Sequence, residues 1–127
     1  AFGHGLSYTQ FAISNLRSDK MQMKQDGTIT FTVNVKNTGK RAGAETVQLY
    51  IHDVKSSVDR PQKELKGFLK VYLQPGESKD ISITISKEAL SFYDEASSSW
   101  KAEAGKFEAL VGNAADNLKL KKAFELF

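Results

Sequence analysis

The sequence predicts an all-β domain in which two antiparallel sheets pack face to face as a β-sandwich. Apolar and polar residues alternate in several segments, which is the pattern of strands with one buried face. Turn residues interrupt these segments about every ten positions. The chain contains no apolar pattern long enough for a helix of more than about one turn. We therefore expect a sandwich of about eight or nine strands.

Length, composition and charge are those of one globular domain. The 127 residues can form a single core, and 40% of them are hydrophobic. The chain has no cysteine, which excludes a disulfide framework and a thiolate metal site. Its net charge is +3, and the basic residues are scattered without interleaved aromatic residues, so we expect no nucleic-acid partner. No apolar run approaches the roughly 20 residues of a membrane span.

The first half of the chain predicts three strands. Apolar residues in the segment 9–16 indicate a first strand with an offset near its end. The clearest alternation of apolar and polar residues covers 29–36. A turn and loop at 37–43 lead to another alternating strand at 47–52. The polar segment 53–62 predicts an exposed loop.

The middle of the chain predicts two further strands around a tight turn. Residues 65–73 form one strand, and Gly67 indicates a kink or β-bulge that shifts its alternation. Pro75 and Gly76 form a turn dipeptide that ends this strand. The isoleucines of 81–85 alternate with Ser and Thr and predict the next strand.

The last third predicts one helical turn, a hairpin and two strands. Residues 86–90 are long enough for about one turn, with Ser86 as N-cap. A serine-rich tip separates residues 91–94 from a short piece around Trp100, which indicates a hairpin. The last two strands are predicted at 107–111 and 118–126.

The predicted core consists of inward-facing apolar residues from these strands. They are Phe31, Val33, Val35, Val47, Leu49, Ile51, Phe68, Ile81, Ile83, Ile85, Phe107 and Val111.

No motif in the chain carries a reaction. Glu64, or Asp94 with Glu95, could supply the two carboxylates of a glycosidase, but no spacing indicates that they face each other. His4 and His52 could act as bases, yet the sequence lacks the G-x-S-x-G element of a serine hydrolase. We therefore expect no catalytic residue in this chain.

A metal or cofactor site is not expected either. His52, Asp53 and Asp59 offer nitrogen and oxygen ligands in one loop, but the segment has no further ligand at regular spacing. We interpret these residues as surface positions and expect no cofactor.

Six segments, in order along the chain, resemble one protein family. They are FGHGLSYT at 2–9, VKNTGKRAGAETVQLYI at 35–51, SSVDRPQKELKGF at 56–68, LQPGES at 73–78, LSFYD at 90–94 and AGKFEALVG at 104–112. All six are similar to the fibronectin type III-like domain at the C-terminus of many family 3 glycoside hydrolases, the β-glucosidases and β-xylosidases. The resemblance implies an immunoglobulin-like β-sandwich.

The resemblance also implies a domain organisation and a location. Residues 1–10 would be a linker or arm from a preceding catalytic part, and residues 11–127 would be the fibronectin type III-like domain. In such enzymes the nucleophile and the acid/base belong to preceding domains, so none of those roles transfers to this chain. The implied location is periplasmic or secreted.

Two functional interpretations remain open at this point. In the first, the chain is a non-catalytic accessory domain that docks on the catalytic domains of the same parent chain and stabilises them. The predicted interface residues are Phe2, Tyr8, Tyr50, Arg60, Pro61 and Tyr72. In the second, the domain recognises polysaccharide, specifically β-glycans, through exposed aromatic side chains such as Tyr50, Tyr72 or Trp100. Trp100 would be exposed in that case, or it could fold over one end of the core.

Overall fold

The computed structural model of the chain describes residues 10–54 and 63–127. Within them lie ten strands and one short 3₁₀ turn, Lys87–Leu90. The strands are β1 Phe11–Ser18, β2 Gln22–Met23, β3 Thr28–Asn37, β4 Gly43–Asp53, β5 Glu64–Leu73, β6 Ser78–Ser86, β7 Phe92–Asp94, β8 Ser99–Lys101, β9 Gly105–Gly112 and β10 Leu120–Leu126. No helix in this part of the chain is long and apolar enough to cross a membrane.

The strands form two main sheets and one separate hairpin. The smaller sheet has the order β1–β3–β6, and the larger one has the order β2–β10–β9–β4–β5. Strands β7 and β8 pair only with each other among the described strands. All these pairings are antiparallel except that of the two-residue β2 with β10. The arrangement confirms the predicted all-β sandwich.

The core lies between the two main sheets and contains apolar residues from both. Phe124 is its aromatic centre, because its ring stacks on Phe107 at 5.6 Å and meets Phe31 edge to face at 5.4 Å. The predicted core residues of β3, β4 and β9 are all buried, whereas Ile81 and Ile83 are only partly buried. The prediction omitted these buried residues: Met23, Ile29, Val71, Leu73, Leu90, Ala109, Phe124 and Leu126.

The prediction that Phe68 belongs to the core is wrong. Its side chain is 65% exposed, and Gly67 occupies the inward position of β5, opposite Leu49. A Cβ atom on Gly67 would lie 2.9 Å from Cγ2 of Ile83 in the other sheet. A side chain at position 67 would therefore force Ile83 to shift. Phe68, the next residue along the strand, faces outward.

The bulge predicted near Gly67 is present. Leu49 pairs with Gly67 while Tyr50 pairs with Leu65, so Lys66 is an extra residue in β5. A bulge of one residue shifts the alternation of the strand. As a result Leu65 and Phe68, three positions apart, point to the same outer face.

Local turn chemistry agrees with the prediction in part. Gly76 has φ of 80°, the left-handed conformation that the Pro75–Gly76 turn requires. Ser86 precedes the 3₁₀ turn as predicted, but its hydroxyl makes no capping bond to the backbone and instead donates to the Glu88 carboxylate. The short strand β2 was not predicted, because two residues show no measurable alternation. The predicted loop after β4 falls mostly outside the described residues.

Candidate functional site

Two of the predicted interface residues are described, and both lie on the outer face of the larger sheet. Tyr50 alternates with the buried residues of β4 and is partly buried itself. Tyr72 near the end of β5 is 68% exposed. The other four predicted interface residues lie outside the described residues: Phe2, Tyr8, Arg60 and Pro61. A role at an interface stays a prediction for all six.

Tyr72 belongs to an exposed apolar surface along β5. Phe68 is 65% exposed and Leu65 is 48% exposed, and both share the outer face with Tyr72 because of the bulge at Lys66. Tyr50 pairs with Leu65 across the strands and extends the surface onto β4. We name Tyr50, Leu65, Phe68 and Tyr72 the β5 patch. Since β5 is the last strand of its sheet, the patch lies at a sheet edge.

Lysine side chains lie beside the aromatic rings of the β5 patch. Nζ of Lys70 is 5.4 Å from the centre of the Tyr72 ring, and Nζ of Lys63 is 6.0 Å from the Tyr50 ring. Both distances allow a cation–π attraction. Lys63 also donates to the Ala115 carbonyl at 2.6 Å, which fixes its position. The β5 patch therefore combines an apolar surface with positive charge beside its rings.

A second aromatic surface lies on the hairpin of β7 and β8. Tyr93 and Trp100 are cross-strand partners, and their ring centres are 5.6 Å apart with planes at 76°. Trp100 is 71% exposed and Tyr93 is 48% exposed. The structure thus resolves the open question about Trp100: its side chain lies at the surface and does not cover the core. We name Tyr93 and Trp100 the hairpin pair.

His52, which was considered as a base and as a metal ligand, lies on β4 across from Glu108 of β9. Nδ1 of His52 is buried and has no hydrogen-bond partner in the described part of the chain. The described residues contain no group of three His, Cys, Asp or Glu side chains that could hold a metal ion. Asp59, the third residue considered for such a site, lies outside them.

The carboxylates considered as a glycosidase pair lie on different elements and make local contacts. Glu64 on β5 lies 3.8 Å from the Lys66 ammonium group. Asp94, at the end of β7, accepts a hydrogen bond from Ser97 at 2.8 Å, and Glu95 follows in the hairpin turn. These contacts are those of surface residues that stabilise their own strand or turn.

A groove of about 810 Å³ lies where β9 and β10 run beside β2. Its apolar lining comes from Met21, Val54, Phe107, Ala123 and Phe124. The charged residues around it carry both signs: Lys20, Lys106, Glu108 and Glu125. Because these charges are mixed, the groove favours neither an anionic nor a cationic ligand.

The family of the chain follows from a comparison with known protein families. Residues 45–115, more than half of the chain, match the family described as the fibronectin type III-like domain. The chain belongs to this family. The matched residues include β5 with its exposed patch and the β7–β8 hairpin. The match confirms the family that the six sequence segments indicated.

Individual relatives of this fibronectin type III-like domain are β-glucosidases. The thermostable β-glucosidase B of Acetivibrio thermocellus is 48% identical over 96% of this chain and 16% of its own length. The periplasmic β-glucosidase of Salmonella typhimurium is 45% identical over 98% of this chain and again 16% of its own length. The chain therefore spans about one sixth of these two relatives.

A solved structure shows the same fold within a longer protein. The GH3 β-glucosidase of Bifidobacterium adolescentis superposes on this chain with a TM-score of 0.87 and 36% identity. The superposition covers 98% of this chain and 18% of that protein. The domain thus corresponds to a small part of a larger enzyme in that case.

Sequence reasoning missed half of the β5 patch and the pairing of the hairpin aromatics. Phe68 was assigned to the core and Leu65 was given no role, although the predicted bulge between them was the signal that puts both outside. Trp100 was considered without its neighbour Tyr93. Their contact depends on the pairing of β7 with β8, which the serine-rich turn between them allows but does not fix.

Proposed function

We propose that this chain is a non-catalytic accessory domain of a family 3 β-glucosidase-like enzyme. In this proposal the domain docks on the catalytic domains of the same parent chain and stabilises them. The nucleophile and the acid/base belong to those other domains. Support comes from the relatives, which are β-glucosidases about six times longer than the segment that this chain matches.

The observation that carries the proposal is the β5 patch. Phe68 and Tyr72 are large side chains that remain about two thirds exposed, beside the exposed Leu65. Exposed apolar residues of this size on one face of a sheet are typical of an interaction surface. Burial of each such side chain contributes about 1.5–3 kcal/mol. A covalently attached partner loses little further freedom on docking, so even a small patch is sufficient.

The rest of the predicted interface belongs to the proposal. Residues 1–10 act in it as the arm that connects the domain to the catalytic part, with Phe2 and Tyr8 covering further apolar surface. Arg60 and Pro61 provide a rigid turn and a planar donor at the same contact. Residues 11–127 form the domain itself.

We also propose a periplasmic or secreted location. One of the relatives is a periplasmic β-glucosidase.

The proposal is tested in the longer enzyme with two pairs of substitutions. Phe68→Ser with Tyr72→Ser should lower the Tm of the enzyme by about 3–6 °C, since an apolar contact is lost. The turnover of a β-glucoside at low temperature should change little. The matched control, Tyr93→Ser with Trp100→Ser, removes two exposed aromatic residues outside the β5 patch. Equal Tm values for the enzyme and its Phe68/Tyr72 variant would reject docking through this face.

A second candidate function, recognition of β-glycans, is favoured by one specific observation. The hairpin pair exposes a tryptophan and a tyrosine side by side, at positions that the β5 patch does not use. Both functions can therefore exist in the same domain.

A further inference from the structure

The hairpin that carries Tyr93 and Trp100 is anchored at its base. Leu90, just before β7, is completely buried in the core. Ala102, just after β8, packs against the same core, and its carbonyl accepts a hydrogen bond from the Gln25 amide at 3.4 Å. The two ends of the hairpin are thus fixed while its aromatic residues stay at the surface.

The turn of the hairpin is held by its own polar residues. The Ser97 hydroxyl donates to the Asp94 carboxylate at 2.8 Å and accepts from the Ser99 hydroxyl at 2.8 Å. Ser98 has φ of 53°, and its N–H donates to the Glu95 carbonyl at 3.3 Å. These contacts order the turn before any ligand arrives, which lowers the entropic cost of binding.

The geometry of the hairpin pair leaves flat aromatic surface open. In an edge-to-face contact, the edge of one ring covers only one face of the other. Since Trp100 is 71% exposed, most of the indole remains accessible. The pair is therefore a fixed, angled aromatic platform.

The surroundings of the platform favour a sugar over a protein partner. Exposed polar residues flank the two rings: Glu95, Ser97, Ser98, Ser99 and Lys101. A stable interface with a separate protein chain buries about 1,200–2,000 Å² in total, far more than two aromatic rings provide. A pyranose needs only a flat apolar surface for its C–H groups and polar side chains nearby for its hydroxyls.

We propose that Tyr93 and Trp100 form a binding site for β-linked gluco-oligosaccharides. β-Glucose carries its substituents equatorially, so both faces of its ring expose C–H groups that stack on an indole. The choice of a glucose oligomer rests on the proposed function, since the catalytic domains would act on β-glucosides. The site would hold a substrate chain near the enzyme without taking part in the chemistry.

The experiment uses Trp100 as its own reporter, because the chain contains one tryptophan. Cellotetraose, a β-linked glucose oligomer, is titrated into the 127-residue chain while tryptophan fluorescence and backbone amide NMR shifts are recorded. We expect a saturable fluorescence change with a Kd on the order of 1 mM. The NMR shifts should centre on Tyr93, Trp100 and their strand neighbours.

Two variants and a control test the site directly, with binding followed by NMR. Trp100→Ala should weaken binding at least about tenfold, and Tyr93→Ala should weaken it several-fold, because each removes one ring of the platform. Tyr72→Ala removes an equally exposed ring from the β5 patch and should leave the affinity unchanged. All three side chains lie at the surface, so the variants are expected to fold.

Three results would overturn the sugar site. They are no response at about 10 mM cellotetraose, shifts centred on Phe68 and Tyr72, and undiminished binding by Trp100→Ala. The docking proposal is tested separately, through the Tm of the longer enzyme with substitutions in the β5 patch. Failure of one proposal can thus be distinguished from failure of the other.

Discussion

At the scale of single residues, Asn37 connects two turns in the interior of the domain. Its side chain is completely buried. Nδ2 donates to the carbonyls of Arg41 and Leu73 at 2.7 and 3.1 Å, and Oδ1 accepts from the Gly39 N–H at 2.9 Å. An amide supplies both donors and an acceptor, so neither Asp nor Leu can replace it here.

We expect Asn37→Ala to lower the free energy of unfolding by about 2–4 kcal/mol, because it leaves buried backbone groups without partners. Urea denaturation of the chain measures this change. The control is Asn34→Ala, which removes a less deeply buried amide on the same strand and should cost less than about 1 kcal/mol. Equal losses for the two variants would show that the buried bonds of Asn37 do not stabilise the fold.

Asp80 is a residue whose ionisation the fold changes. The Asn34 amide donates to its carboxylate at 3.1 Å, and the Arg17 guanidinium donates at 2.7 Å. Both contacts lower the pKa of the Asp80 carboxyl below its ordinary value, and the Asn34 hydrogen bond has the largest effect. A lowered pKa in the folded state stabilises the fold above the unfolded-state pKa. That stabilisation is lost as the pH falls through the folded-state pKa.

An NMR pH titration of the Asp80 side-chain carboxyl should therefore show a pKa below about 3.9, the usual value for Asp. Asn34→Ala should raise that pKa, and Arg17→Ala should raise it as well. The stability difference between the parent chain and Asp80→Asn should vanish in strong acid, where both side chains are neutral. A pKa of Asp80 at or above the ordinary value would contradict the assignment.

At the scale of elements, strand β5 shows how one bulge sets the surface of the domain. Lys66 is the extra residue, Gly67 faces the opposite sheet, and Phe68 faces outward. The close approach of Ile83 explains why the inward position is a glycine. The small residue Gly67 thus takes the inner side of β5 next to Ile83, and the large side chain of Phe68 lies on the outer side.

Gly67→Val should destabilise the chain by about 1–3 kcal/mol, because the added carbon atoms overlap with Ile83. Thermal unfolding measures this loss. If the overlap is the cause, Gly67→Val combined with Ile83→Ala should be more stable than the sum of the two single effects predicts. Additive losses would instead attribute the effect of Gly67→Val to the backbone of the bulge.

At the scale of the whole molecule, the loss of a phenylalanine ring should lower stability strongly in the core and only slightly at the surface. Phe124 lies at the centre of the core and Phe68 lies on the surface. A domain of this size has a total stability of about 5–15 kcal/mol. Loss of one core ring is therefore a large fraction of that stability.

We expect Phe124→Ala to cost about 3–5 kcal/mol in the 127-residue chain. Phe68→Ala should change its unfolding free energy by less than about 1 kcal/mol, since its ring is already in water. Denaturant unfolding of the two variants measures both changes in unfolding free energy. A large loss for Phe68→Ala would mean that the ring packs within this domain, and it would remove the main support for docking.

Much of the fold could be predicted from the sequence, because strands with one buried face alternate with a period of two. The strands of 29–36 and 47–52, the Pro75–Gly76 turn and the bulge near Gly67 were all found in this way. The short strand β2 was not, since its pairing with β10 involves residues about one hundred positions apart. The role of the aromatic residues also depended on pairings between strands, those of Tyr50 with Leu65 and of Tyr93 with Trp100.

The sequence by itself determined the class of the fold, the family and the absence of cysteine chemistry. The tertiary structure decided which aromatic residues reach the surface and which of them meet. The sequence of a strand shows how apolar and polar residues alternate, but it does not show which face of the strand another sheet will cover. The bulge at Lys66 and the close approach of Ile83 to Gly67 leave Phe68 on the outer face, and the register of β7 with β8 brings Tyr93 to Trp100. Both of the proposed interaction surfaces depend on these contacts.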